Sequence, residues 1–467
     1  MAVNQDVIVD IDLLKKYDKP GPRYTSYPTA PQFHTGFGAS EMEEELEVSN
    51  AQEHAPDLSL YFHIPFCDSL CLYCGCNVII TKTPSKIEQY LGYLKREIDL
   101  VARYLPDSRR RLVRQFQWGG GTPTYLTADQ IRDIMGYIRD RFDFSEDIEA
   151  GVEIDPRELT TDRLVALKET GFNRASMGVQ DFDPKVQETV NRIQPEAMTR
   201  RHFESLRELG FQSLNLDLMY GLPFQTADSF EYTLERVIDM DPDRIALFNY
   251  AHVPWMKPHQ QYFKQEWLPS PEMKLAILKR SIDRFTEAGY VFIGMDHFAK
   301  PDDELTLAQQ ERKLYRNFQG YSTRAGLDLY AMGITSISQT RDVYAQNVKT
   351  LPEYYARLEQ DQLPTFKGYR LNEDDQIRRW TITRLMCDFE LHPDEIGARY
   401  DIDFHDYFRR ELERLAGFES DGLLTFREDG IRVTSLGRLL IRNIAMTFDP
   451  YLKQPKTEKT PTYSRTV

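Results

Sequence analysis

The chain has 467 residues, a formal net charge of −15 and 41% hydrophobic residues. This length allows one large domain with appendages, because single domains usually have about 100–200 residues and barrels about 250. No run approaches the ~18 apolar residues of a membrane span, and the acidic balance argues against a broad surface for nucleic acid or anionic lipid. The segment MAVNQDVIVDIDLLKKYDK lacks the basic and apolar regions of a signal peptide. We therefore expect a cytoplasmic protein without a nucleic-acid or membrane partner.

From residue 58 onward, apolar runs of strand length alternate with segments of helical periodicity. The predicted strands lie at 58–64, 115–120, 150–155, 175–180, 214–221 and 245–251, and the predicted helices lie at 84–103, 127–142, 161–170, 183–191, 196–209, 227–240 and 271–288. Two helix starts carry capping signals, namely Thr127 with Gln130, and Ser270 before Pro271. Strands that alternate with helices form parallel sheets through right-handed crossovers. Six such units predict an open or partial barrel with the loops after the strands at one end.

Two regions fall outside this alternation. The first contains YDKPGPRYTSYPT (17–29), which is too broken for a helix and is expected to lie along the main domain. The second predicts helices at 373–388, 393–400, 404–416 and 435–446, with a hairpin around Asp429-Gly430 before the last helix. The predicted organisation is an N-terminal, substrate-enclosing arm at 1–50, a catalytic barrel at 51–364, and a mainly helical, winged-helix-like domain at 365–467. The acidic composition argues against DNA binding by that last domain.

Four of the five cysteines stand in the stretch CDSLCLYCGC, at positions 67, 71, 74 and 76. Structural zinc usually takes two cysteine pairs from separated loops, and disulfides are disfavoured in the cytoplasm. Thiolates from one short loop can instead ligate several irons of one cluster. The pattern therefore favours an iron–sulfur cluster, with a zinc site as the alternative.

The spacing C-x3-C-x2-C after the first strand, and GGGTP (119–123) after the second, resemble the radical S-adenosylmethionine (SAM) superfamily. This resemblance implies an α/β fold with a partial (β/α)6 radical SAM barrel. It also implies that Cys67, Cys71 and Cys74 hold a [4Fe–4S] cluster, whose remaining iron binds SAM. Glycines suit the loop after the second strand, because absent side chains let a ligand approach the backbone.

Longer stretches resemble the oxygen-independent coproporphyrinogen III oxidases of this superfamily. They include PGPRYTSYPT, YFHIPFCDSLCLYCGCN, WGGGTPTYL, EIDPRE, FNRASMGVQDFD, LDLMYGLPFQT, FNYAHVP, RNFQGYST and GRLLIRNI, in this order. The resemblance covers nearly the whole chain. It implies oxidative decarboxylation of two propionates of coproporphyrinogen III to vinyl groups, giving protoporphyrinogen IX in haem (porphyrin) biosynthesis. It further implies two SAM molecules, a low-potential electron donor such as flavodoxin or ferredoxin, and a monomer.

The same resemblance assigns candidate site residues. Those expected to contact the cluster-bound SAM are Tyr61, Glu153, Ala251 and Ile337, and those expected around both SAM molecules are Tyr73, Gly120, Gly121, Thr122, Gln180, Arg192 and Asp217. Carboxylates suit a ribose diol, and an arginine suits a carboxylate. Cys76 is expected to act in catalysis, because the three-cysteine pattern is complete without it. The chemistry of three further residues makes them candidates for substrate binding, because the cation of Arg23 and the ring of Tyr24 suit an anionic tetrapyrrole and Gln319 can both donate and accept hydrogen bonds.

Two alternative functions differ in what the sequence should contain. A haem-binding chaperone of the same family characteristically lacks the fourth cysteine and the PGPRYTSYPT leader, and both are present here. A non-enzymatic iron–sulfur or zinc protein would not explain GGGTP or the barrel order. The sequence therefore favours the enzyme.

Overall fold

The computed structural model of the chain describes residues 10–105, 111–453 and 463–466. Its strands, numbered in chain order, are β1 Leu58–Ile64, β2 Phe66–Cys67, β3 Ile79–Ile80, β4 Val113–Gly120, β5 Phe144–Ile154, β6 Arg174–Gln180, β7 Ser213–Tyr220, β8 Arg244–Asn249, β9 Val291–Gly294, β10 His297–Ala299, β11 Tyr315–Asn317, β12 Gly320–Ser322, β13 Asp328–Met332, β14 Ile337–Gln339, β15 Val343–Asn347, β16 Thr365–Arg370, β17 Glu390–Leu391, β18 Leu424–Arg427 and β19 Gly430–Val433.

The α-helices are α1 Ile11–Tyr17, α2 Ala39–Ala51, α3 Pro84–Ala102, α4 Ala128–Arg139, α5 Thr161–Glu169, α6 Pro184–Thr189, α7 Glu196–Glu208, α8 Ala227–Met240, α9 Pro271–Glu287, α10 Glu304–Gln310, α11 Leu351–Glu359, α12 Glu373–Asp388, α13 Pro393–Tyr400, α14 Phe404–Tyr407, α15 Arg409–Ser420, α16 Ser435–Leu439 and α17 Ile441–Ala445. Short 3-10 helices lie at Ala30–Gln32, Pro123–Tyr125, Pro156–Glu158, Pro258–Tyr262, Gln265–Trp267, Met446–Phe448 and Pro450–Lys453. Within the described ranges, no helix is long and apolar enough to cross a membrane.

The chain divides into two compact units. The first, which we call the cysteine-loop unit, consists of Phe33–Asp217 and Gly326–Arg370; the second, the arm unit, consists of the described residues of Met1–Gln32, Leu218–Ala325 and Leu371–Val467. Strand β7 runs from the first unit into the second, since the boundary follows Asp217.

The cysteine-loop unit is built around one mixed sheet. Its strand order is β16-β15-β14-β13-β1-β4-β5-β6-β7. Strand β1 pairs in parallel with β13 and β4, and β4, β5 and β6 continue the parallel part, whereas β13 to β16 pair antiparallel. Helices α3 to α7 connect the parallel strands, as predicted, because parallel neighbours need a crossover connection. The loops that follow these parallel strands therefore lie together at one edge of the sheet.

The arm unit continues the alternation with β8 and then adds antiparallel and helical parts. Strand β10 pairs antiparallel with β8 and β9, and β11 pairs with β12 as a hairpin. One buried core joins Leu14, Tyr24 and Tyr27 of the N-terminal segment to helices α12 to α17, through residues such as Ile377 and Ile444. The segment 17–29 is therefore packed among the C-terminal helices of its own unit rather than extended from it.

The local signals in the sequence predict these elements well. The capping box of Thr127 and Gln130 is confirmed, with 3.2 Å from the Gln130 N–H to Thr127 Oγ1, and Ser270 caps α9 through the Met273 N–H. The predicted hairpin at Asp429-Gly430 is confirmed as β18 and β19, although β19 also pairs with β17. The single helices predicted at 404–416 and at 435–446 are each two helices, α14 with α15 and α16 with α17. The first nine residues of the predicted arm and residues 454–462 of the predicted C-terminal domain lie outside the described residues.

Candidate active site

The cysteines follow β1 in a loop that is closed by a short parallel bridge. Strand β2, which ends at Cys67, pairs with β3, and the Thr81 N–H donates to the Cys67 carbonyl at 3.2 Å. The Cys74 N–H donates to the Cys71 carbonyl at 3.0 Å, which forms a turn between these two cysteines. This bridge and turn hold the spacing C-x3-C-x2-C in one compact loop of the cysteine-loop unit.

The thiols of this loop face hydrogen-bonding and cationic groups. Cys67 Sγ lies 3.3 Å from Thr122 Oγ1, and Cys71 Sγ lies 3.3 Å from Arg157 Nη2 and 3.6 Å from Arg192 Nη1. Cys67, Cys71 and Cys74 are partly exposed and Cys76 is exposed. Within the described ranges, no three His, Cys, Asp or Glu side chains form a group that could hold one metal ion.

The chemistry of these thiols fits an iron–sulfur cluster, in which each iron carries positive charge and binds one thiolate. Burial raises the pKa of Cys67 to about 11, the Thr122 hydroxyl opposes this, and the charges of Cys74 and Cys71 raise it further. A thiolate at Cys67 is therefore unstable unless a cation compensates it. Metal coordination deprotonates a thiol outright, and an iron–sulfur cluster distributes its thiolates over several irons.

The glycine run lies directly against the start of the cysteine loop. The Gly121 N–H donates to the Ile64 carbonyl and the Thr122 N–H to the Phe66 carbonyl, each at 2.9 Å. A Cβ at Gly121 would lie 2.6 Å from the Pro65 backbone, and one at Gly120, whose φ is +115°, would lie 2.7 Å from the His63 ring. Only glycine fits both positions, because the space is filled and the second backbone conformation is left-handed.

Two acidic side chains lie on strands β5 and β7, which β6 separates in the sheet. Glu153 Oε2 accepts a hydrogen bond from the Gly120 N–H at 3.1 Å. Asp217 accepts hydrogen bonds from Ser176 Oγ at 2.8 Å and Asn215 Nδ2 at 2.7 Å. Reduced hydration raises the pKa of Glu153 to about 7, helped by the charge of Asp217, and raises that of Asp217 to about 6 against its two hydrogen bonds. Glu153 is exposed in this structure, so a polar ligand can reach its carboxylate.

A third acidic side chain, Asp155, is held in an ion-pair network near Cys71. Asp155 Oδ2 accepts from Arg157 Nη2 at 2.7 Å and from Arg192 Nη1 at 2.9 Å. Burial opposes ionisation of Asp155, but the charges of the two arginines outweigh it and lower its pKa to about 2. The pKa of the Tyr73 phenol is raised well above its usual value by reduced hydration, although the charge of Arg192 opposes this. Arg192 is thus held by an internal partner, and its guanidinium also faces the Cys71 thiol.

Tyr61 contacts the glycine loop through a histidine. Its hydroxyl lies 3.2 Å from His63 Nδ1, and His63 Nε2 lies 3.1 Å from the Asn77 carbonyl. Burial lowers the pKa of His63 to about 4, so the imidazole is neutral near pH 7. Burial raises the pKa of Tyr61 well above its usual value, and the charges of Glu153 and Cys76 add to this.

Gln180 carries an unsatisfied polar atom at the end of β6. Its φ is +67°, and within the described part of the chain no donor lies within hydrogen-bond distance of its buried Oε1. Buried polar groups normally have partners, so this atom is suited to a donor from a ligand. Ile337 lies at the start of β14, paired with Gln346 of β15.

The other four predicted site residues belong to the arm unit. Arg23 forms an ion pair with Asp296, and Tyr24 is buried and donates to Asp449 Oδ2 at 3.0 Å. The Gln319 N–H donates to Asn317 Oδ1 at 2.8 Å, whereas its side-chain Nε2 is buried without a partner among the described residues. Ala251 is exposed just after β8.

Sequence reasoning missed His63 and Arg157. His63 stands two residues after Tyr61 on β1, so it shares a face of the strand with Tyr61. Arg157 follows Asp155 by two residues, and at this spacing its guanidinium can contact the Asp155 carboxylate. Both lie within the motifs that carry the family resemblance, and the signal that would have found them is this two-residue spacing from a predicted site residue.

The chain is similar to known proteins over almost its full length. The model of the radical SAM superfamily matches residues 61–237, and that of the HemN C-terminal domain matches residues 371–440. The chain is 47% identical over 452 residues to the oxygen-independent coproporphyrinogen III oxidase of Synechocystis (96% of each chain), and 48% identical over 450 residues to that of Escherichia coli (96% of this chain and 97% of the other).

One solved structure is also similar to the chain over nearly its full length. It is described as coproporphyrinogen III oxidase (HemN) from Escherichia coli, a radical SAM enzyme, and matches with a TM-score of 0.90 and 47% identity over 96% of this chain and 100% of the other. The predicted fold class, an α/β partial barrel with a mainly helical C-terminal domain, is confirmed. The chain belongs to the oxygen-independent coproporphyrinogen III oxidase family of radical SAM enzymes.

Proposed function

We propose that the chain converts two propionate side chains of coproporphyrinogen III into vinyl groups, giving protoporphyrinogen IX in anaerobic haem biosynthesis. The observation that carries this proposal is the 47–48% identity over 96% of the chain to enzymes named for that substrate. To form a vinyl group, a hydrogen atom must leave the methylene carbon attached to the pyrrole ring, after which CO2 is released and one electron passes to an electron acceptor. Radical SAM enzymes hold the [4Fe–4S] cluster and SAM that make such hydrogen abstraction possible.

Cys67, Cys71 and Cys74 would hold the cluster. When bound, the cluster and SAM supply the radical that abstracts hydrogen. Arg157 and Arg192 lie within 3.6 Å of Cys71 Sγ and offset the negative charge of a thiolate there. Thr122 lies beside Cys67 and stabilises a thiolate by hydrogen bonding.

The glycine run and the acidic side chains of the cysteine-loop unit would hold SAM. Gly120 and Gly121 leave the backbone open to a ligand, and Glu153 and Asp217 offer carboxylate oxygens to hydroxyl or ammonium groups. Gln180 offers its unsatisfied Oε1 to a donor. The further members proposed for this group are Tyr61, Tyr73, Thr122, Arg192 and Ile337, and we propose two SAM molecules in total.

Cys76 is proposed to act in catalysis rather than in cluster binding. It is the exposed cysteine of the loop, whereas the three before it are partly buried. A thiol at that place can pass a proton or a hydrogen atom near the reacting centre. The proposal extends to a cytoplasmic monomer that receives electrons from flavodoxin or ferredoxin. The roles of Arg23, Tyr24, Gln319 and Ala251 toward substrate or SAM stay predictions.

Anaerobic reconstitution with iron and sulfide, followed by incubation with SAM, a reductant, an electron acceptor and coproporphyrinogen III, tests the function. Chromatography should show protoporphyrinogen IX, with two CO2 released per substrate. A haem-binding chaperone would bind haem and release no CO2, and a structural iron–sulfur protein would leave SAM intact. Either result would refute the proposal.

A further inference from the structure

Three arginines lie together in the arm unit, and the predicted substrate residue Arg23 is one of them. Arg316 Nε lies 3.4 Å from the Arg23 carbonyl, and Arg442 Nε donates to the Pro22 carbonyl at 3.0 Å. Arg316 and Arg442 are each only 6% exposed. Burial lowers the pKa of Arg23 to about 9, and the charges of Arg442 and Arg316 lower it further. The three guanidinium groups therefore repel one another in a poorly hydrated place.

The negative charge beside this cluster does not balance it. Asp296 forms an ion pair with Arg23. Arg442 donates to neutral backbone carbonyls, which leave its charge uncompensated. The next carboxylate, Asp18, pairs with Arg465 at 2.5 Å. Among the described residues, three cations thus face one dedicated carboxylate, and a buried excess of like charge is stabilised by an added anion.

The neutral titratable groups around the cluster do not change this balance. Burial and the charges of Arg316, Arg23 and Arg244 lower the pKa of His297 to about 3, so its imidazole is neutral. Burial raises the pKa values of Tyr220 and Tyr321 above their usual range, so both phenols keep their protons.

Arg316 also has an unused donor. Within the described ranges, no acceptor lies within hydrogen-bond distance of its buried Nη1. In the β11–β12 hairpin Arg316 stands opposite Tyr321, and its guanidinium lies 4.7 Å from the Tyr321 ring centroid. The Tyr321 ring and the Arg23 carbonyl thus occupy two sides of the guanidinium, and its Nη1 donor is left for a further acceptor. Arginine presents two parallel donors that match a carboxylate.

The cavity beside Arg23 has the lining that an alkyl carboxylate requires. Its charged side is formed by Arg23, Arg442 and the carboxylate of Asp296, which pairs with Arg23, and its apolar walls include Leu247, Leu278 and Met295. A propionate has two methylene groups for such walls and a carboxylate for the cations. We propose that this arginine cluster binds one propionate carboxylate of the tetrapyrrole, with Arg23 and Arg442 at the cavity and the unused Nη1 donor of Arg316 turned toward the same carboxylate. This inference rests on the proposed function.

The test compares a charged ligand with its uncharged analogue. Coproporphyrin III, the oxidised and unreactive form of the substrate, and its tetra-amide are titrated by fluorescence into reconstituted wild type and Arg316→Gln. We expect Arg316→Gln to bind the tetra-acid at least about tenfold more weakly, which corresponds to about 1.4 kcal/mol, and to bind the tetra-amide as wild type does. Arg316→Lys should recover part of the affinity, because it restores charge but not the paired donors.

Arg409→Gln is the matched control, because Arg409 is an arginine of the same unit with a 70% exposed side chain. Iron content, SAM affinity and melting temperature show whether each variant is folded. Unchanged affinity of a folded Arg316→Gln for the tetra-acid, or equal losses for both ligands, would overturn the inference. If wild type does not convert coproporphyrinogen III at all, the proposed function itself fails; if it does and only the variant result is negative, the carboxylate site alone fails.

Discussion

The carboxylate of Glu153 accepts a hydrogen bond from the backbone N–H of Gly120, at 3.1 Å. This bond joins the end of β5 to the glycine run that follows β4, and the His63 ring fills the space on the other side of Gly120. The glycine run is thus fixed from two directions while its backbone stays free of side chains. Its shape depends on residues that contact it, rather than on flexibility of the run.

A methyl group at Gly120 should therefore disrupt SAM binding. In Gly120→Ala the new Cβ would lie 2.7 Å from the His63 ring, and the φ of +115° disfavours any side chain. We expect SAM affinity to fall at least about tenfold, while iron and sulfide are retained; equilibrium dialysis with labelled SAM measures this. Gly136→Ala is the control, because that glycine is in α4 and a Cβ added there would have no neighbour within 4 Å. Wild-type affinity in Gly120→Ala would contradict the role of the run.

The cysteine variants should separate into two classes. Serine at position 67, 71 or 74 should prevent normal cluster assembly, because each removes a proposed ligand. Cys76→Ser should keep iron, sulfide and the SAM-dependent change in the EPR spectrum, yet lose most protoporphyrinogen formation. Metal analysis, EPR and product chromatography check both classes. Loss of the cluster in Cys76→Ser would show that the ligand assignment is wrong, and normal turnover would remove Cys76 from catalysis.

Much of the fold could be predicted from the sequence because the signals for its helices and strands come from residues that are close together in the chain. Periodicity, caps such as Thr127, and the hairpin at Gly430 depend on neighbours in sequence, and they predicted strands β1 and β4 to β8 and the helices between them. The bounds differ most at β5, which begins at Phe144 rather than at 150, and strands β9 to β16 were not predicted. The site could be predicted only where a motif carried it. Arg316 and Arg442 belong to motifs that carry the family resemblance, but neither was predicted as a site residue. Their proximity to Arg23 comes from tertiary packing across about 290 and 420 sequence positions, which no local pattern encodes.

The same reason explains why a buried glutamate of α3 was not predicted. Glu97 accepts hydrogen bonds from the Gly333 N–H at 2.7 Å, Asn347 Nδ2 at 2.7 Å and Tyr354 Oη at 2.5 Å. These partners lie some 235 or more positions away in sequence. Through Gly333, Glu97 fixes the loop that leads into β14 and Ile337.

Glu97→Gln should destabilise the cysteine-loop unit and weaken SAM binding. All three partners donate to Glu97, so an amide NH2 in place of one oxygen leaves a buried donor unpaired, which costs about 1–3 kcal/mol. Thermal denaturation should show a lower melting temperature, with a smaller loss of SAM affinity through the displaced loop. Glu88→Gln on the same helix is the control, since Glu88 is exposed. Equal melting temperatures for the two variants would contradict the structural role of Glu97.

The pKa values of Glu153 and Asp217 predict how stability depends on pH. Both are raised in the folded protein, Glu153 from 4.5 to about 7 and Asp217 from 3.8 to about 6. The folded state therefore binds these protons more tightly than the unfolded state, and the resulting stability is fully present below the unfolded pKa values and lost as pH rises through about 6 to 7. The melting temperature of the protein without SAM should thus fall between pH 6 and pH 8.

In Glu153→Gln the fall should be smaller, because one of the groups no longer titrates, and at pH 8 the variant should melt above wild type. Glu97, whose burial raises its pKa to about 7, contributes to the slope in both proteins and cancels in the comparison. An identical pH profile in wild type and Glu153→Gln, measured by calorimetry in matched buffers, would show that Glu153 ionises normally.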